Sequence, residues 1–348
     1  MRNDNSPSNR GPRRRRLPGF RALLLASLAT LTLAAACGGE TSSPDVSDDT
    51  GQLTPVVVSS DLAVGQNRFA LGLIEQNTIV LDADLHLRFL KRVGENQAEL
   101  RFEADSEFVG FETFFLKEST GEKVTTGETG VYVANVEFDE AGDWGLEVTG
   151  LADGHEIPST TLAFTVLEEG QTLSVGDPAP RSLQRIESDV QDVTEIETMV
   201  PPDAMHDVTI ADAVGSGKPV VVVFGTPAFC ETQTCGPVMQ TVMVPLRDKY
   251  GQQATFIHVE PFFVEEARNG VGFCPVPAFN AQFAALGLGE GPGDCAIRPV
   301  EEIDAAGESW NLTTEPILFI IDGNGIIRGK FEGIVGPQEV EAALLELL

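Results

Sequence analysis

Val220-Val221-Val222-Val223-Phe224-Gly225-Thr226-Pro227-Ala228-Phe229-Cys230-Glu231-Thr232-Gln233-Thr234-Cys235-Gly236-Pro237 is the stretch on which the reading of this chain turns. Its first five residues are apolar and β-branched or aromatic, and they lie between turn signals. Such a run reads as a strand buried on both faces. Two cysteines follow with four residues between them, and the second opens Cys235-Gly236-Pro237. Gly236 suits a helix cap and Pro237 a first helical position, where the missing N–H has no intrahelical acceptor to serve. The apolar-periodic run Val238 to Tyr250 then reads as a helix, which Pro245 is expected to kink.

Working outward, Ile210 to Val214 reads as a short helix closed by Gly215, and Gly217-Lys218-Pro219 leads into the strand. Ala254 to Val259 is a second buried strand, ending at Glu260-Pro261. After an irregular stretch, Glu315-Pro316 precedes the apolar run Ile317 to Ile321. Asp322-Gly323-Asn324-Gly325 then has the turn chemistry of a β-hairpin returning through Ile326 to Phe331. Gly336-Pro337 caps a final helix, Gln338 to Leu348, with Val340, Ala343, Leu344 and Leu347 on its buried face.

This order of elements resembles the thioredoxin superfamily over residues 208–348. The resemblance is carried by Gly217-Lys218-Pro219-Val220, by Cys235-Gly236-Pro237, and by Glu315-Pro316 before Ile317-Leu318-Phe319. Just upstream, Val175-Gly176-Asp177-Pro178-Ala179-Pro180 resembles the opening of redoxin-type domains. The likeness implies an α/β thioredoxin-like domain in which Cys230 and Cys235 are the redox pair. It also implies a cis-proline, Pro316, that faces them and holds substrate backbone. Independently, a proline at the first residue of a strand is where its missing N–H costs the ladder least. A thiol before a helix has its thiolate stabilised by unpaired N–H groups. A second thiol in reach then resolves the mixed disulfide formed by the first.

The chain departs from the family pattern in two places. The usual pair has two intervening residues, and the place of the second cysteine after Cys235-Gly236-Pro237 is taken by Val238. On a regular helix cysteines five apart point to different faces, so pairing requires residues 231–234 to be non-helical. Two counts compete for the attacking sulfur: position relative to Phe224 favours Cys230, and position relative to the helix start favours Cys235. Thiolate stabilisation comes from the helix N–H groups, so the preference goes to Cys235, with Cys230 resolving. The strand Val220 to Phe224 also lacks the buried carboxylate that thioredoxins often use as proton acceptor. His258, Glu260 and Glu315 are candidates for proton transfer, each with an alternative as a satisfied core histidine or a solvated loop acid.

Two other activities of the same fold bear on these residues. Thr226-Pro227 before Cys230 is similar to the peroxiredoxin pattern, but the threonine stands one place further from the cysteine and no matching arginine follows, so a peroxidase is the alternative enzyme. A copper carrier would need a distant histidine, and His258, the one considered, is wrongly placed. No metal and no cofactor are expected. The competing class is a non-catalytic thioredoxin scaffold whose Cys230–Cys235 bridge is merely structural.

Residues 55–168 read as a separate all-β domain. Phe69 to Ile74, Ala98 to Glu103, Val131 to Phe138, Trp144 to Val148 and Leu162 to Val166 are strand candidates separated by Gly, Asp and Asn clusters. Val131, Val133 and Asn135 share one face; Tyr132, Ala134, Val136 and Phe138 share the other, the core side. The run Gly130-x-Tyr132, Phe138, Gly142-x-Trp144 resembles immunoglobulin-like envelope domains, which implies a β-sandwich and nothing about activity. His86 and His155 read as surface or turn residues. Residues 169–207 form a connector with Pro-rich points at Asp177-Pro178-Ala179-Pro180 and Pro201-Pro202-Asp203. The expected architecture is therefore multidomain, an immunoglobulin-like sandwich followed by the thioredoxin-like domain.

Ahead of both, residues 1–37 read as an address. Arg13 to Arg16 form a positive region, and the apolar stretch Ala22 to Ala36 is too short to span a membrane as a mature helix. Its end, Leu33-Ala34-Ala35-Ala36-Cys37-Gly38-Gly39, resembles a bacterial lipoprotein signal with Cys37 as the lipidated residue, although the usual large aliphatic residue is displaced to Leu33. Ordinary cleavage or retention as an anchor are the alternatives, and all three outcomes export the rest of the chain. Residues 38–54, rich in Gly, Ser, Thr and Asp, make a flexible tether.

The four cysteines after Cys37 form an even count, which in an oxidising compartment reads as two disulfides. Their spacing lacks the two short pairs of a structural zinc site. Cys274 and Cys295 share a Gly-, Pro- and Ala-rich insertion, residues 261–311. They read as a structural bridge, stabilising by about 3 kcal/mol in the chain-entropy model, with a second redox pair as the alternative. The 23 basic and 53 acidic residues give a net charge of −30. Such a surface repels nucleic acid and anionic headgroups, so nucleic-acid binding is excluded. The expected partner is a protein thiol or disulfide of the cell envelope, reached from a lipid anchor in the membrane.

Overall fold

Nine strands come first among the described residues. They are β1 (Thr54–Val57), β2 (Gly65–Glu75), β3 (Thr78–Ile79), β4 (Asp84–Gly94), β5 (Gln97–Asp105), β6 (Glu107–Lys117), β7 (Glu122–Phe138), β8 (Gly142–Ala152) and β9 (His155–Val166). The computed structural model describes residues 53–76, 78–117, 119–152, 154–230, 233–270 and 310–348. Cys37, Cys274 and Cys295, with the leader and most of the tether, lie outside the described residues.

The nine strands form two antiparallel sheets. One has the order β1-β2-β7-β6 with β3 beside β2, the other β5-β4-β8-β9. Phe69, Leu71, Tyr132 and Phe138 from the first meet Leu87, Phe89, Trp144 and Leu146 from the second in one core. Edge-on rings knit it, with Phe69 against Phe89 at 5.1 Å and Phe138 against Trp144 at 5.0 Å between centroids. Each such pair contributes roughly 0.5–1.5 kcal/mol beyond its buried area.

β4 and β6 were not among the expected strands, for different reasons. In β4 the alternation is regular, with Leu85, Leu87 and Phe89 inward. In β6 an irregularity between Thr113 and Phe114 shifts the parity, so no single period runs through it. A further correction concerns β7. Val131 and Val133, placed by alternation away from the core, are buried too, clustered with Ala70 and covered by Val109 and Ile334. The sheet that carries them is a middle layer.

What covers it is a four-stranded mixed sheet with short helices. Its strands are β10 (Val220–Phe224), β11 (Thr255–Val259), β12 (Ile317–Ile321) and β13 (Ile327–Glu332), in the order β11-β10-β12-β13. β10 pairs parallel with β11 and antiparallel with β12. The helices are α1 (Ile210–Ala213), α2 (Cys235–Val238), a π-helical segment Met239–Met243, α3 (Val244–Tyr250), α4 (Val264–Arg268) and α5 (Pro337–Leu345). Val221 and Val223 share one core with Val238, Val242 and Leu344, while Val220, Val222 and Phe224 share another with Ile210, Trp310 and their sheet neighbour Phe319. The five-residue apolar run is thus buried on both sides because helices or loops cover both.

The structure moves the helix start. Thr234 is the N-cap, so Cys235, Gly236 and Pro237 are its first three residues. Pro237 is accommodated there because none of the first N–H groups has an intrahelical acceptor. Pro245 sits in the first turn of α3, directly after the π-helical segment. The π-helical segment ahead of Pro245 changes the hydrogen-bond register where the proline has no N–H to donate.

The middle layer is fastened to this second body by core and by charge. Phe114 and Leu116 of β6 belong to the core formed by the α2–α3 run and α5. Arg68 of β2 donates to both carboxylate oxygens of Glu339 at 2.7 and 2.9 Å and to the Ile334 carbonyl at 2.7 Å. Residues 169–207 contain two 3₁₀ turns and no longer element, yet Ser182, Gln184, Glu197, Asp203, Met205 and His206 are all buried. Among the described residues no helix is long and apolar enough to cross a membrane.

Candidate functional site

Where β10 ends, the chain turns on Thr226, whose carbonyl accepts the N–H groups of Phe229 and Cys230 at 3.1 and 2.9 Å. Gln233, at φ +57°, brings the loop back so that Thr234 can cap α2. This geometry sets the Cα atoms of Cys230 and Cys235 6.0 Å apart, and a disulfide joins them. The N–H of Cys235, the first of the helix, donates to Sγ of Cys230 at 3.3 Å. Cys230 keeps 8% of its surface exposed and Cys235 none.

Pro316 precedes β12, and the Glu315–Pro316 peptide bond is cis. Gly225 stands between this proline and the disulfide. A Cβ built on the glycine would lie 3.5 Å from Cys235 Sγ and 3.5 Å from Pro316 Cβ. The Thr226 hydroxyl donates to the Glu315 carboxylate, which also lies within 4.8 Å of both sulfurs. The structure therefore brings Cys230, Cys235, Glu315 and Pro316 together. Beside them a cleft of about 1000 Å³ between the two bodies is lined by Thr234, Glu315, Glu107, Thr129, Lys330 and Glu332.

His258 and Glu260 belong to a second, buried group. His258 Nε2 donates to the Gly225 carbonyl at 2.9 Å, and its Nδ1 faces Asp203 at 2.7 Å. Glu260 accepts the Thr198 N–H at 2.5 Å. Burial opposes charge on His258, but the Asp203 carboxylate overrides it and holds the imidazole well above its ordinary range. Burial likewise opposes charge on Asp203, yet the two histidines hold its carboxyl below the usual range. Burial pushes Glu260 up to about 8.

Glu197, Asp203 and His206, which complete this group, went unnoticed in the sequence. They lie within residues 169–207, whose composition reads as a connector, and nothing local distinguishes a buried acid from a solvated one. The one signal was the compact Asp203-Ala204-Met205-His206, where two ionisable residues flank a methionine directly after two prolines.

No protein-family model matches the chain, and no curated protein matches it in sequence. Among solved structures it is similar to the crystal structure of a DsbF homologue from Corynebacterium diphtheriae. Identity is 16%, 51% of this chain and 91% of that chain are covered, and the TM-score is 0.27.

Proposed function

We propose that this protein is a thiol–disulfide oxidoreductase of the bacterial cell envelope, lipid-anchored through Cys37, with an immunoglobulin-like sandwich followed by a thioredoxin-like catalytic domain. The observation that carries the reading is the disulfide between Cys230 and Cys235 at the start of α2, beside Pro316. The anchor rests on the Ala-Ala-Ala-Cys junction at residues 34–37.

Cys230 is the sulfur that a partner reaches. It is the more exposed of the two and receives the first helical N–H, which stabilises a thiolate there. The residue at the helix start cannot use its own N–H in this way, so the preference for Cys235 drawn from the sequence reverses. In the oxidising direction a partner thiolate attacks Cys230 Sγ and Cys235 leaves as thiolate. A second partner thiolate then displaces Cys230, leaving the partner oxidised and the pair reduced. In the reducing direction each step runs backwards, with Cys235 resolving. Glu315 is the carboxylate in reach to take or return the thiol proton. Pro316 positions partner backbone, and the cleft between the two bodies receives the partner polypeptide.

The test is the reduction potential of the pair, with thiol trapping in single variants. A working pair lies above roughly −300 mV, the limit below which structural disulfides fall. Cys235→Ser should accumulate a mixed disulfide through Cys230. A potential below that limit, with no trapped partner in either variant, would reduce the bridge to a structural staple.

A further inference from the structure

Around His258, whose ring reaches the Gly225 carbonyl, four ionisable side chains converge in the interior. Glu197, Asp203 and His206 come from the segment before α1, and His258 comes from β11. One ligand-type atom from each lies within 4.8 Å of the other three. His206 Nε2 is 3.2 Å from Glu197 Oε2 and 3.5 Å from Asp203 Oδ1, while His258 Nδ1 is 2.7 Å from Asp203 Oδ2 and 4.0 Å from Glu197 Oε1. At metal–ligand bonds of about 2.1 Å the edges of a tetrahedron are roughly 3.4 Å. The two His206 contacts lie near that length, whereas the two His258 contacts, made to the other oxygen of each carboxylate, lie on either side of it, the shorter being a hydrogen bond that an ion would replace.

Two of the atoms are unsatisfied. Glu197 Oε2 and His206 Nε2 are buried and make no aligned hydrogen bond, although they face each other. An unsatisfied buried polar atom costs about 1–3 kcal/mol, more when charged, so two at one point call for a shared partner. The surrounding bonds orient the donors. Glu197 Oε1 is held by the N–H of Asp203 at 2.9 Å, Asp203 Oδ1 by the N–H of Met205 at 2.9 Å, and the His258 ring by the Gly225 carbonyl through Nε2. A second-nitrogen bond of this kind fixes the tautomer that presents the other nitrogen to a cation. His206 and His258 also line a cavity of about 50 Å³, which provides an approach from outside.

We propose that Glu197, Asp203, His206 and His258 form a structural binding site for one divalent first-row transition ion of the zinc type. Two imidazoles and two carboxylates suit zinc and its neighbours and contain no thiolate, which separates the site from the cysteine pair. Four protein ligands fill a tetrahedral shell and leave no open position, so the ion is structural, tying the segment before α1 to the strand behind the disulfide. The inference is independent of the redox reading.

The test uses the full-length chain in its disulfide form, with remaining thiols alkylated and metals stripped, titrated with Zn²⁺ against a chromophoric chelator and separately with Co²⁺. One equivalent of Zn²⁺ should bind and raise Tm in proportion to the logarithm of free metal. Co²⁺ should give the intense visible bands of a four-coordinate N₂O₂ site with no thiolate charge-transfer band. Glu197→Gln and His206→Ala should each weaken binding by more than the roughly 10–100-fold that loss of an outer-shell partner costs. If His206→Ala does not fold, the isosteric Glu197→Gln and the parent Co²⁺ spectrum still decide. Absence of stoichiometric binding, a six-coordinate Co²⁺ spectrum, or affinity unchanged in both variants would overturn the site and leave a network of buried ion pairs.

Discussion

The two sheets of the N-terminal sandwich contribute the same kind of residues to their shared core and differ in what lies behind them. The outer sheet, β5-β4-β8-β9, turns Arg88, Glu103 and Glu147 outward, where they pair in solvent. The middle sheet, β1-β2-β7-β6, turns Ala70, Val131, Phe114 and Leu116 toward the second body and buries them there. One of these contacts reaches the candidate site itself. A Cβ on Gly236, the residue after Cys235, would stand 3.3 Å from the Phe114 ring. The sandwich therefore packs on the helix that carries the disulfide. A spacer joined only by a flexible linker would expose that face, and an exposed apolar patch of this kind is itself a liability.

The largest effect that would break this contrast is expected at Phe114. Phe114→Ala removes a ring from the core shared by the two bodies and should destabilise the fold by about 3–5 kcal/mol, read as a drop in the urea midpoint. Because the ring lies against Gly236, thiol reactivity of the reduced pair should change as well. An unaltered midpoint would mean that the two bodies separate in solution.

Charge offers a sharper version of the same comparison. Arg68→Ala on the middle sheet leaves Glu339 without its bidentate partner and should cost about 2–3 kcal/mol, below the roughly 3–5 kcal/mol for breaking a fully buried pair because Glu339 keeps some exposure. Arg88→Ala on the outer sheet removes pairs that solvent already screens, and its midpoint should stay within error of the parent protein. Equal losses from the two variants would show that both arginines are equally solvated.

A smaller loss than that at Arg68 tests the core between the sheets. The Tyr132 hydroxyl donates to the Val80 carbonyl at 2.8 Å and accepts the Ala83 N–H at 3.0 Å. Tyr132→Phe should cost about 1–2 kcal/mol, since it leaves a buried N–H unpaired. Burial holds the phenol above its ordinary value of 10.0. Its contribution is complete below that unfolded value and is lost as pH rises toward the folded one, because the unfolded chain then releases a proton that the folded chain retains. Alkaline unfolding curves of Tyr132→Phe should accordingly be flatter than those of the parent.

Much of the C-terminal body was legible in order. Val220 to Phe224 could be read as a doubly buried strand because all five positions are apolar, and Asp322 to Gly325 as a hairpin turn because glycine and asparagine tolerate its backbone. The closeness of Cys230 and Cys235 followed from four intervening residues. These are properties of contiguous sequence, with a period or a composition of their own. Three things had none. Alternation in β7 reported that Val131 and Val133 share a face, but a strand cannot state whether water or Ile334 lies beyond it. The first helical N–H could be assigned to Cys230 only once the loop was closed and Thr234, not Gly236, proved to be the cap. Glu197, Asp203 and His206 met His258 across more than 50 residues, and no local pattern encodes such a meeting. Sequence by itself determined the contiguous features: the doubly buried strand, the hairpin turn and the short spacing of the cysteine pair. Burial of charge and the pairing of distant donors were decided by tertiary structure, because both depend on what the rest of the chain excludes from water.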